Sequence, residues 1–290
     1  MTDRFTRVLR RLAAALTAAA AVALAQAPAA AAEAGYPLDH FPTEKLIELA
    51  SLQNGARLFV NYCLNCHSAN LMRYNRLRDI GLDDDQIRRN LLFTGDKVGD
   101  PMTVAMLKRD AREWFGATPP DLSVIARARS SHAGSGSDWL YTFLRTFYRD
   151  SSRASGWNNA VFPNVGMPHA LWQLQGMRGA IIEEIRRAGN GFERVVVTLD
   201  AQGRRTEAVT KLEGTHWHEG TSIRLPQPEG GQLSRALFDD QVGDLVAYIT
   251  YMSDPSRLAR VRLGVWVLMF LAFFTFVTWW LNRIYWKDVK

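Results

Sequence analysis

The feature that most limits what this chain can fold into is an apolar run near residue 270. Residues 263–281 read LGVWVLMFLAFFTFVTWWL, with no charged side chain and with two threonines as the only polar ones. A helix of about 20 apolar residues is long enough to cross the hydrocarbon core of a bilayer. Aromatic residues cluster at the far end of the run, as is typical of a membrane interface. The sequence therefore predicts one transmembrane helix over residues 261–282, although a buried helix of a soluble protein is the alternative.

The first 32 residues have the layout of an export signal. Four arginines come first, an alanine-rich apolar run over residues 12–25 follows, and three alanines at 30–32 end the segment. This order is typical of a secretory signal peptide. An uncleaved membrane anchor is the alternative, but Gln26 and Pro28 interrupt the apolar run before it reaches a spanning length. We therefore expect a signal peptide over residues 1–32.

These two segments together predict where the chain lies. An exported chain with one later transmembrane helix has residues 33–260 outside the cytoplasm and a tail over residues 283–290 inside it. We expect a single-pass protein of the bacterial inner (cell) membrane, with its folded domain on the periplasmic side and membrane lipid around its helix.

The net charge is too small to suggest a nucleic-acid partner. The chain has 35 basic and 29 acidic side chains, for a formal charge of +6. Residues 1–32 contribute much of this excess, and no block of lysine and arginine with interleaved aromatic residues occurs in the sequence. Acidic groups at residues 83–85, 183–184 and 239–240 are either solvated faces or docking surfaces for a basic partner.

Between its ends the chain has the pattern of a mainly helical domain with long loops. Thr43 is the expected N-cap of a first helix, and a second helix is expected over residues 55–62. Apolar residues recur at helical spacing over residues 242–252. Alternation of apolar and polar residues instead predicts a β-hairpin over residues 193–213. The expected fold class is mainly α, with a small β-hairpin insertion and one C-terminal transmembrane helix.

The chemistry of the chain is indicated by its two cysteines. Residues 63–67 read Cys-Leu-Asn-Cys-His, the C-x-x-C-H sequence to which c-type haem is attached. Two thiols three positions apart can reach the two vinyl groups of one porphyrin, and the adjacent imidazole then lies under the iron. Cys63 and Cys66 are thus predicted to bind haem covalently, with His67 as an iron ligand. The alternatives are a disulfide, a thioredoxin-like redox pair, and a zinc site that recruits His216 and His218.

The sixth iron ligand decides what such a haem can do. A methionine ligand gives a closed electron carrier, whereas an open position can bind small molecules. Met167 lies in Phe-Pro-Asn-Val-Gly-Met-Pro over residues 162–168, where prolines and a glycine can hold one side chain in place. His169 is the nitrogen alternative. Methionine more often fills a core than binds iron, and the other methionine candidates are Met72, Met102, Met106, Met177 and Met252.

Four separated segments together carry a more specific pattern. They are residues 61–68 with Met72-Arg73-Tyr74, residues 116–123 with Arg127-Ala128-Arg129, residues 162–169, and residues 285–289. In this order they resemble the haem segment, the next signature, the axial-methionine loop and the C-terminus of the cytochrome c1 family. Members of that family are the haem subunit of quinol:cytochrome c oxidoreductase, the bc1 complex. The resemblance spans almost the whole chain after residue 32.

The resemblance implies a class I cytochrome c-like haem domain with one covalent haem c. His67 and Met167 match the axial ligands of the family. Arg129 matches an arginine that contacts a haem propionate, with a solvated helix face as the alternative reading of that residue. Trp139 lies in the region where the family has an aromatic residue near the haem.

The resemblance also implies partners and a reaction. A Rieske iron-sulfur protein, reduced by quinol at the cytochrome b subunit, delivers one electron, and a soluble cytochrome c or an equivalent acceptor receives it. The chain is then an electron carrier and not an enzyme by itself, within a dimeric complex that acts as quinol-cytochrome-c reductase. Two alternatives stay open: a free-standing membrane-anchored cytochrome that donates to another reductase or oxidase, and a haem sensor or small enzyme with an open iron site.

Overall fold

The computed structural model describes residues 35–104, 106–214 and 216–287 of the 290-residue chain. The expected signal peptide lies outside these residues. The described part is a mainly helical domain with small antiparallel sheets, followed by one long apolar helix. The predicted fold class is therefore confirmed.

Helices form most of the domain and are numbered here in chain order. They are α1 (Leu49–Leu58), α2 (Asp84–Asn90), α3 (Lys108–Phe115), α4 (Ile125–Ala128), α5 (Gly136–Arg145), α6 (Trp172–Gln175), α7 (Arg235–Ser253) and α8 (Arg257–Tyr285). A π-helical turn, Phe59–Cys63, continues α1, and 3-10 turns cover Thr43–Leu46 and Tyr74–Ile80. The helix predicted over residues 242–252 is confirmed as part of α7.

The first helix begins later than the sequence predicts. Residues 43–46 form only a 3-10 turn, and Pro42, not Thr43, occupies its N-cap position. Glu48 is extended (φ −87°, ψ 113°) and separates this turn from α1. The Glu48 carboxylate accepts a 3.0 Å hydrogen bond from the Ser51 hydroxyl, which stabilises a helix start at Leu49. The prediction for Thr43 is therefore wrong.

The strands form three antiparallel sheets. β1 (Ala69–Arg73) pairs with β2 (Pro101–Met102), and β3 (Phe147–Arg149) pairs with β4 (Trp157–Asn159). The third sheet has the order β7-β6-β5-β8. Its strands are β5 (Ala180–Ala188), β6 (Gly191–Leu199), β7 (Arg205–Leu212) and β8 (Gly220–Arg224).

The predicted β-hairpin is confirmed, and it is half of the third sheet. β6 and β7 pair from Phe192 opposite Leu212 to Leu199 opposite Arg205. β5 and β8 complete the sheet on the other side of β6. β5 reads Ala-Ile-Ile-Glu-Glu-Ile-Arg-Arg-Ala, so charged residues interrupt its alternation of apolar and polar side chains. One of these residues, Glu183, pairs with Arg194 across the sheet at 2.7 Å.

The core of the domain lies where α1 crosses α7. The backbones approach so closely at Gly55 that a Cβ atom there would lie 2.0 Å from the carbonyl oxygen of Asp244. The rings of Phe59 and Tyr248 then pack with centroids 5.6 Å apart. Both rings are fully buried. This packing fixes the π-helical turn that ends at Cys63.

α8 has the properties of a membrane-spanning helix. Residues Ala259–Tyr285 are long and apolar enough to cross a bilayer, and the most apolar window of this stretch has no buried residue. The predicted segment 261–282 lies within α8. At the junction with α7, Asp254 accepts a 3.0 Å hydrogen bond from Arg260 and lies 3.2 Å from a guanidinium nitrogen of Arg127. The anchor is thus tied to the domain by charged contacts.

Candidate haem site

An apolar cavity of about 260 Å³ lies beside the core. Its walls come from the turn after α1, the segment between α3 and α4, α5, the loop after β4, and α7. The five residues predicted from the sequence all line it: Cys63, Cys66, His67, Arg129 and Met167. The fold therefore brings together residues from three separate segments of the chain.

The two cysteines and His67 share one wall because the chain makes a tight turn there. The amide nitrogens of Cys66 and His67 both donate to the carbonyl oxygen of Cys63, at 3.1 and 2.8 Å. The thiols are not joined to each other. Burial raises the pKa of Cys63 to about 12, with a smaller contribution from the Cys66 thiolate, and burial also raises the pKa of Cys66. Both side chains therefore line the cavity as neutral thiols.

The imidazole of His67 has a defined tautomer. Its Nδ1 lies 2.7 Å from the carbonyl oxygen of Pro120, which can only accept a hydrogen bond, so Nδ1 carries the proton. Nε2 is then left with its lone pair, the state that a metal ligand requires. Burial lowers the pKa of His67, which favours the same neutral state.

Asp121 holds the segment that orients His67. Its carboxylate accepts hydrogen bonds from the Asn70 amide (2.8 Å), the Ser68 hydroxyl (2.9 Å) and the Ser123 amide (2.8 Å). Burial opposes ionisation of this carboxyl, but these hydrogen bonds outweigh it and lower the pKa of Asp121. The histidine and the Pro120 carbonyl are therefore fixed relative to each other by an ionised side chain.

Met167 reaches the cavity on a loop that two buried asparagines organise. The Asn159 carboxamide accepts hydrogen bonds from the amides of Val161 (2.9 Å) and Phe162 (3.1 Å), and the Asn158 carboxamide accepts one from Asn164 (2.8 Å). Among the methionines of the described residues, Met167 alone lines this cavity. The other methionine candidates lie elsewhere, with Met72, Met102 and Met252 buried in the core.

His169, the nitrogen alternative, lies behind the cavity and not in its lining. Its ring is 2% exposed and stacks on Phe147 with centroids 4.8 Å apart. Nε2 lies 2.5 Å from the Gln175 side-chain oxygen. Burial lowers the pKa of His169 to about 3, so the ring is a neutral part of the core. This placement disfavours His169 as an iron ligand.

Arg129 lies at the rim of the cavity, over aromatic rings. Its guanidinium carbon is 4.4 Å from the ring centroid of Trp139 and 5.6 Å from that of Phe162. Trp139 in turn stacks on Phe143 at 4.7 Å, and all three rings line the cavity. Cation–π contacts of this kind fix the guanidinium without neutralising it.

Comparison with known proteins identifies the relatives of this chain. The Cytochrome C1 family model matches residues 42–177. The chain is 41% identical to the protein named ammonia monooxygenase gamma subunit of Nitrosomonas europaea, over 87% of this chain and 88% of that protein. It is 40% identical to cytochrome c1 of Allochromatium vinosum, over 84% of this chain and 86% of that protein. It is 26% identical to cytochrome c1 of Rhodospirillum rubrum, over 82% of each.

The chain belongs to the cytochrome c1 family. Members of the family are haem electron carriers of the respiratory chain, so this chain carries one covalent haem c and is a subunit of the bc1 complex, quinol-cytochrome c reductase. Membership in that complex implies a cytochrome b partner, and α8 makes the chain a membrane-anchored single-pass protein.

The cavity fits a haem in ways that the sequence does not reveal. The hydroxyl of Thr118 is buried in its wall without a hydrogen-bond partner among the described residues. Arg129 makes no ion pair with any carboxylate in the described part of the chain, although it lies at the rim. A buried donor and an unneutralised guanidinium are the groups that the carboxylates of a haem would complement. Thr118 belongs to residues 116–123, which carry the family resemblance, but the sequence does not indicate its role because that role depends on a wall built from several elements.

The alternatives for the cysteines find no support in the fold. In the ranges that the structure describes, no group of three or more histidine, cysteine, aspartate and glutamate residues is placed to hold a metal ion. His216 stacks on Trp217 in the segment between β7 and β8 and does not line the cavity.

The three acidic groups all contain carboxylates that are paired within the chain. Asp84 and Asp85 lie 2.6 and 2.8 Å from Arg78 and Arg88. The other pairs are Glu183 with Arg194, Asp239 with Arg145, and Asp240 with Lys45, each at 2.7 Å. Their role as docking surfaces stays a prediction, with much of the negative charge already offset.

Proposed function

We propose that Cys63 and Cys66 bind the haem through two thioethers, with His67 and Met167 as axial ligands and Arg129 on a propionate. The observation that supports this most strongly is the single apolar cavity that all five residues line. The orientation of His67 adds to it, because the Pro120 carbonyl leaves Nε2 free to bind a metal.

The residues of the cavity suit electron transfer better than substrate binding. A bound haem supplies a one-electron redox change, and the chain's task is to hold it and to keep water away. Leu122, Ile125, Leu144 and Val165 are buried in the walls and exclude water. A methionine ligand would close the sixth position, which is the state of an electron carrier and not of a gas sensor.

The function that follows is transfer of single electrons in the bc1 complex. The chain receives an electron from the Rieske iron-sulfur protein and passes it to a soluble cytochrome c or an equivalent acceptor. Phe162 lines the cavity and is 45% exposed, so the cavity reaches the surface there, which supports the approach of a partner at this rim. The cytochrome b subunit and a dimeric complex complete the set of partners.

The proposed topology follows from the anchor and from the sequence. Residues 1–32 are a signal peptide, residues 33–260 a periplasmic domain, residues 261–282 the transmembrane helix and residues 283–290 a cytoplasmic tail. Aromatic residues near the end of α8, including Trp279 and Trp280, are typical of one membrane interface.

Optical spectra of the detergent-solubilised native complex test this function. Ascorbate should reduce a c-type haem alone, dithionite should add b-type bands, and an inhibitor of the quinol site should block reduction of the c-type haem by quinol. Removal of the Rieske protein should block the same step while leaving reduction by ascorbate intact. A c-type haem that purifies under mild extraction without any b-type partner would instead indicate a free-standing anchored cytochrome.

A further inference from the structure

A second cavity, of about 310 Å³, lies where the third sheet meets the helical domain. Four arginines from four different elements or their flanks line it, together with two aspartates, so the charged side chains of its lining leave a net charge of +2. The charged lining residues are Arg145, Arg178, Arg224, Arg235, Asp39 and Asp239. None of them lines the haem cavity.

The carboxylates of Asp39 and Asp239 both form ion pairs with Arg145. Its Nε and Nη2 donate to the two oxygens of Asp239 at 2.7 and 2.9 Å, and its Nη1 donates to Asp39 at 2.7 Å. Arg235 shares Asp239 at 3.8 Å. Neither carboxylate is therefore left to neutralise Arg178 or Arg224.

Arg178 is the mostly buried charge that this arrangement leaves without a counter-ion. Within the described ranges no carboxylate lies in ion-pair distance of it. Its guanidinium donates to the carbonyl oxygens of Phe147 (2.9 Å) and Arg145, which uses only some of its five N–H groups. Burial lowers the pKa of Arg178 to about 10; the nearby Tyr36 and Asp239 oppose this shift, and the positive charges of Arg235 and Arg145 add to it. A guanidinium in this position stays charged at neutral pH but is costly to bury alone.

An oxyanion would relieve that cost. Guanidinium groups match phosphate and carboxylate oxygens with paired, charge-assisted hydrogen bonds. Arg224 is exposed at the end of β8, and in the described part of the chain it has no ion-pair partner, so it is available as a second donor. We propose that this cavity binds a small oxyanion of the phosphate class, held by Arg178, Arg224 and Arg235.

The bound oxyanion connects the third sheet to the helices. Arg178 and Arg224 belong to the sheet side, whereas Arg235 begins α7. The apolar contact on which the sheet otherwise depends is small, with only Tyr148, Ala180 and Leu199 fully buried in its cluster. The site lies at the start of α7 and the membrane anchor follows the other end of that helix, about 28 Å away along its axis. This separation favours a free anion over a lipid headgroup.

Isothermal titration of the purified, haem-loaded protein with inorganic phosphate tests the proposal. The protein is kept in a non-ionic detergent, and chloride holds the ionic strength constant. We expect saturable binding at one site, with an association constant that falls about tenfold in Arg224→Gln and in Arg235→Gln. Both side chains are exposed, so these variants should fold and keep the native haem spectrum. Arg205→Gln, an exposed arginine of β7 outside the cavity, is the matched control and should bind phosphate as the wild type does.

Several results would overturn the proposal. Absence of binding at millimolar phosphate would show that the site does not exist, and an affinity that falls equally in Arg205→Gln would show only a general effect of net charge. Repeating the titration in nanodiscs of phosphatidylglycerol distinguishes the source of the anion. An unchanged phosphate affinity supports a free anion, whereas competition by the lipid would contradict that assignment. The haem spectrum serves only as a control for folding and electron transfer is not measured, so the test stands apart from the function proposed above.

Discussion

His67 is oriented by residues that lie 53 positions away in the chain. The Pro120 carbonyl fixes the proton on Nδ1, and the Asp121 carboxylate fixes Pro120 by accepting hydrogen bonds from the Ser68 and Asn70 side of the site. The pattern C-x-x-C-H predicts the ligand, but it contains no information about this support. A chain with the same motif and without Asp121 would have a freer imidazole.

Asp121→Asn is expected to lower the stability of the haem domain by about 1 kcal/mol near neutral pH, since the NH2 group of asparagine would face either the Ser68 and Asn70 donors or the Ser123 donor. The pKa of Asp121 is lower in the folded protein than in the unfolded chain. Its contribution is therefore complete above the unfolded pKa of about 3.9 and is lost as the pH falls through the folded value. Thermal unfolding from about pH 7 down to about pH 3 should show the gap between wild type and variant closing. A gap of constant size would contradict the role of the ionised carboxylate.

The two arginines of Arg127-Ala128-Arg129 make different contacts, so a variant of one is a control for a variant of the other. Arg129 lies at the cavity rim, whereas Arg127 contacts Asp254 at 3.2 Å. Arg129→Gln removes a positive charge near the iron and should lower the reduction potential by about 40 mV, which corresponds to roughly 1 kcal/mol for one electron. Arg127→Gln should leave the potential nearly unchanged. Redox titration of both variants checks this, and equal shifts would remove the propionate assignment of Arg129.

At the scale of elements, the loop that carries Met167 depends on side chains more than on regular structure. The Asn159 carboxamide donates to the Phe143 carbonyl at 2.8 Å and accepts from the amides of Val161 and Phe162. Asn159 is fully buried, so each of these bonds would be costly to lose. Asn164 takes a positive φ of 63°, which asparagine tolerates better than most residues.

Asn159→Ala is expected to destabilise the protein by about 2–3 kcal/mol and to loosen the Met167 loop first, because two loop amides lose their acceptor and the buried Phe143 carbonyl loses a donor. Urea unfolding followed by haem absorbance should therefore begin at lower urea in this variant than in wild type. Asn90→Ala, at an exposed position at the end of α2, is the control and should change the midpoint little. Equal midpoints for Asn159→Ala and wild type would show that the loop does not need this anchor.

Much of the fold could be predicted from the sequence wherever the signal is local. The apolar run of α8, the helical spacing of α7 and the alternation of β6 and β7 each depend on neighbouring residues. The late start of α1 could not be predicted, because it depends on the extended backbone of Glu48. β5 could not be predicted because charged residues interrupt its alternation, and β8 because its five residues, Gly-Thr-Ser-Ile-Arg, contain a single apolar side chain.

The candidate site could be predicted only in part, for those residues that belong to a local sequence pattern. The motif and the resemblance name Cys63, Cys66, His67, Arg129 and Met167, and the fold places all of them on one cavity. The roles of Thr118 and Asn159 could not be predicted, since the role of a buried polar group depends on the residues packed around it. The anion cavity likewise exists only after four distant arginines are brought together.

For the whole molecule, the anchor and the haem domain meet at Asp254, and we expect them to be separable. A chain that ends after Ser256 lacks α8 and its exposed apolar side chains. It should appear in the soluble fraction after export, with an unchanged c-type spectrum, because no residue of α8 lines the haem cavity. Cell fractionation and a reduced-minus-oxidised spectrum check both points. A truncated chain that loses its haem spectrum would show that the domain needs its anchor to fold.

In the proposed haem site, His67 and Met167 close the iron from two sides. The sharpest test of this ligand pair is carbon monoxide binding to the reduced protein, with Met167→Ala beside Met177→Leu, a control methionine that does not line the cavity. We predict that wild type and Met177→Leu resist carbon monoxide, while Met167→Ala binds it and changes its spectrum. A Met167→Ala protein that keeps the native spectrum, the native reduction potential and the resistance to carbon monoxide would show that Met167 is not an iron ligand.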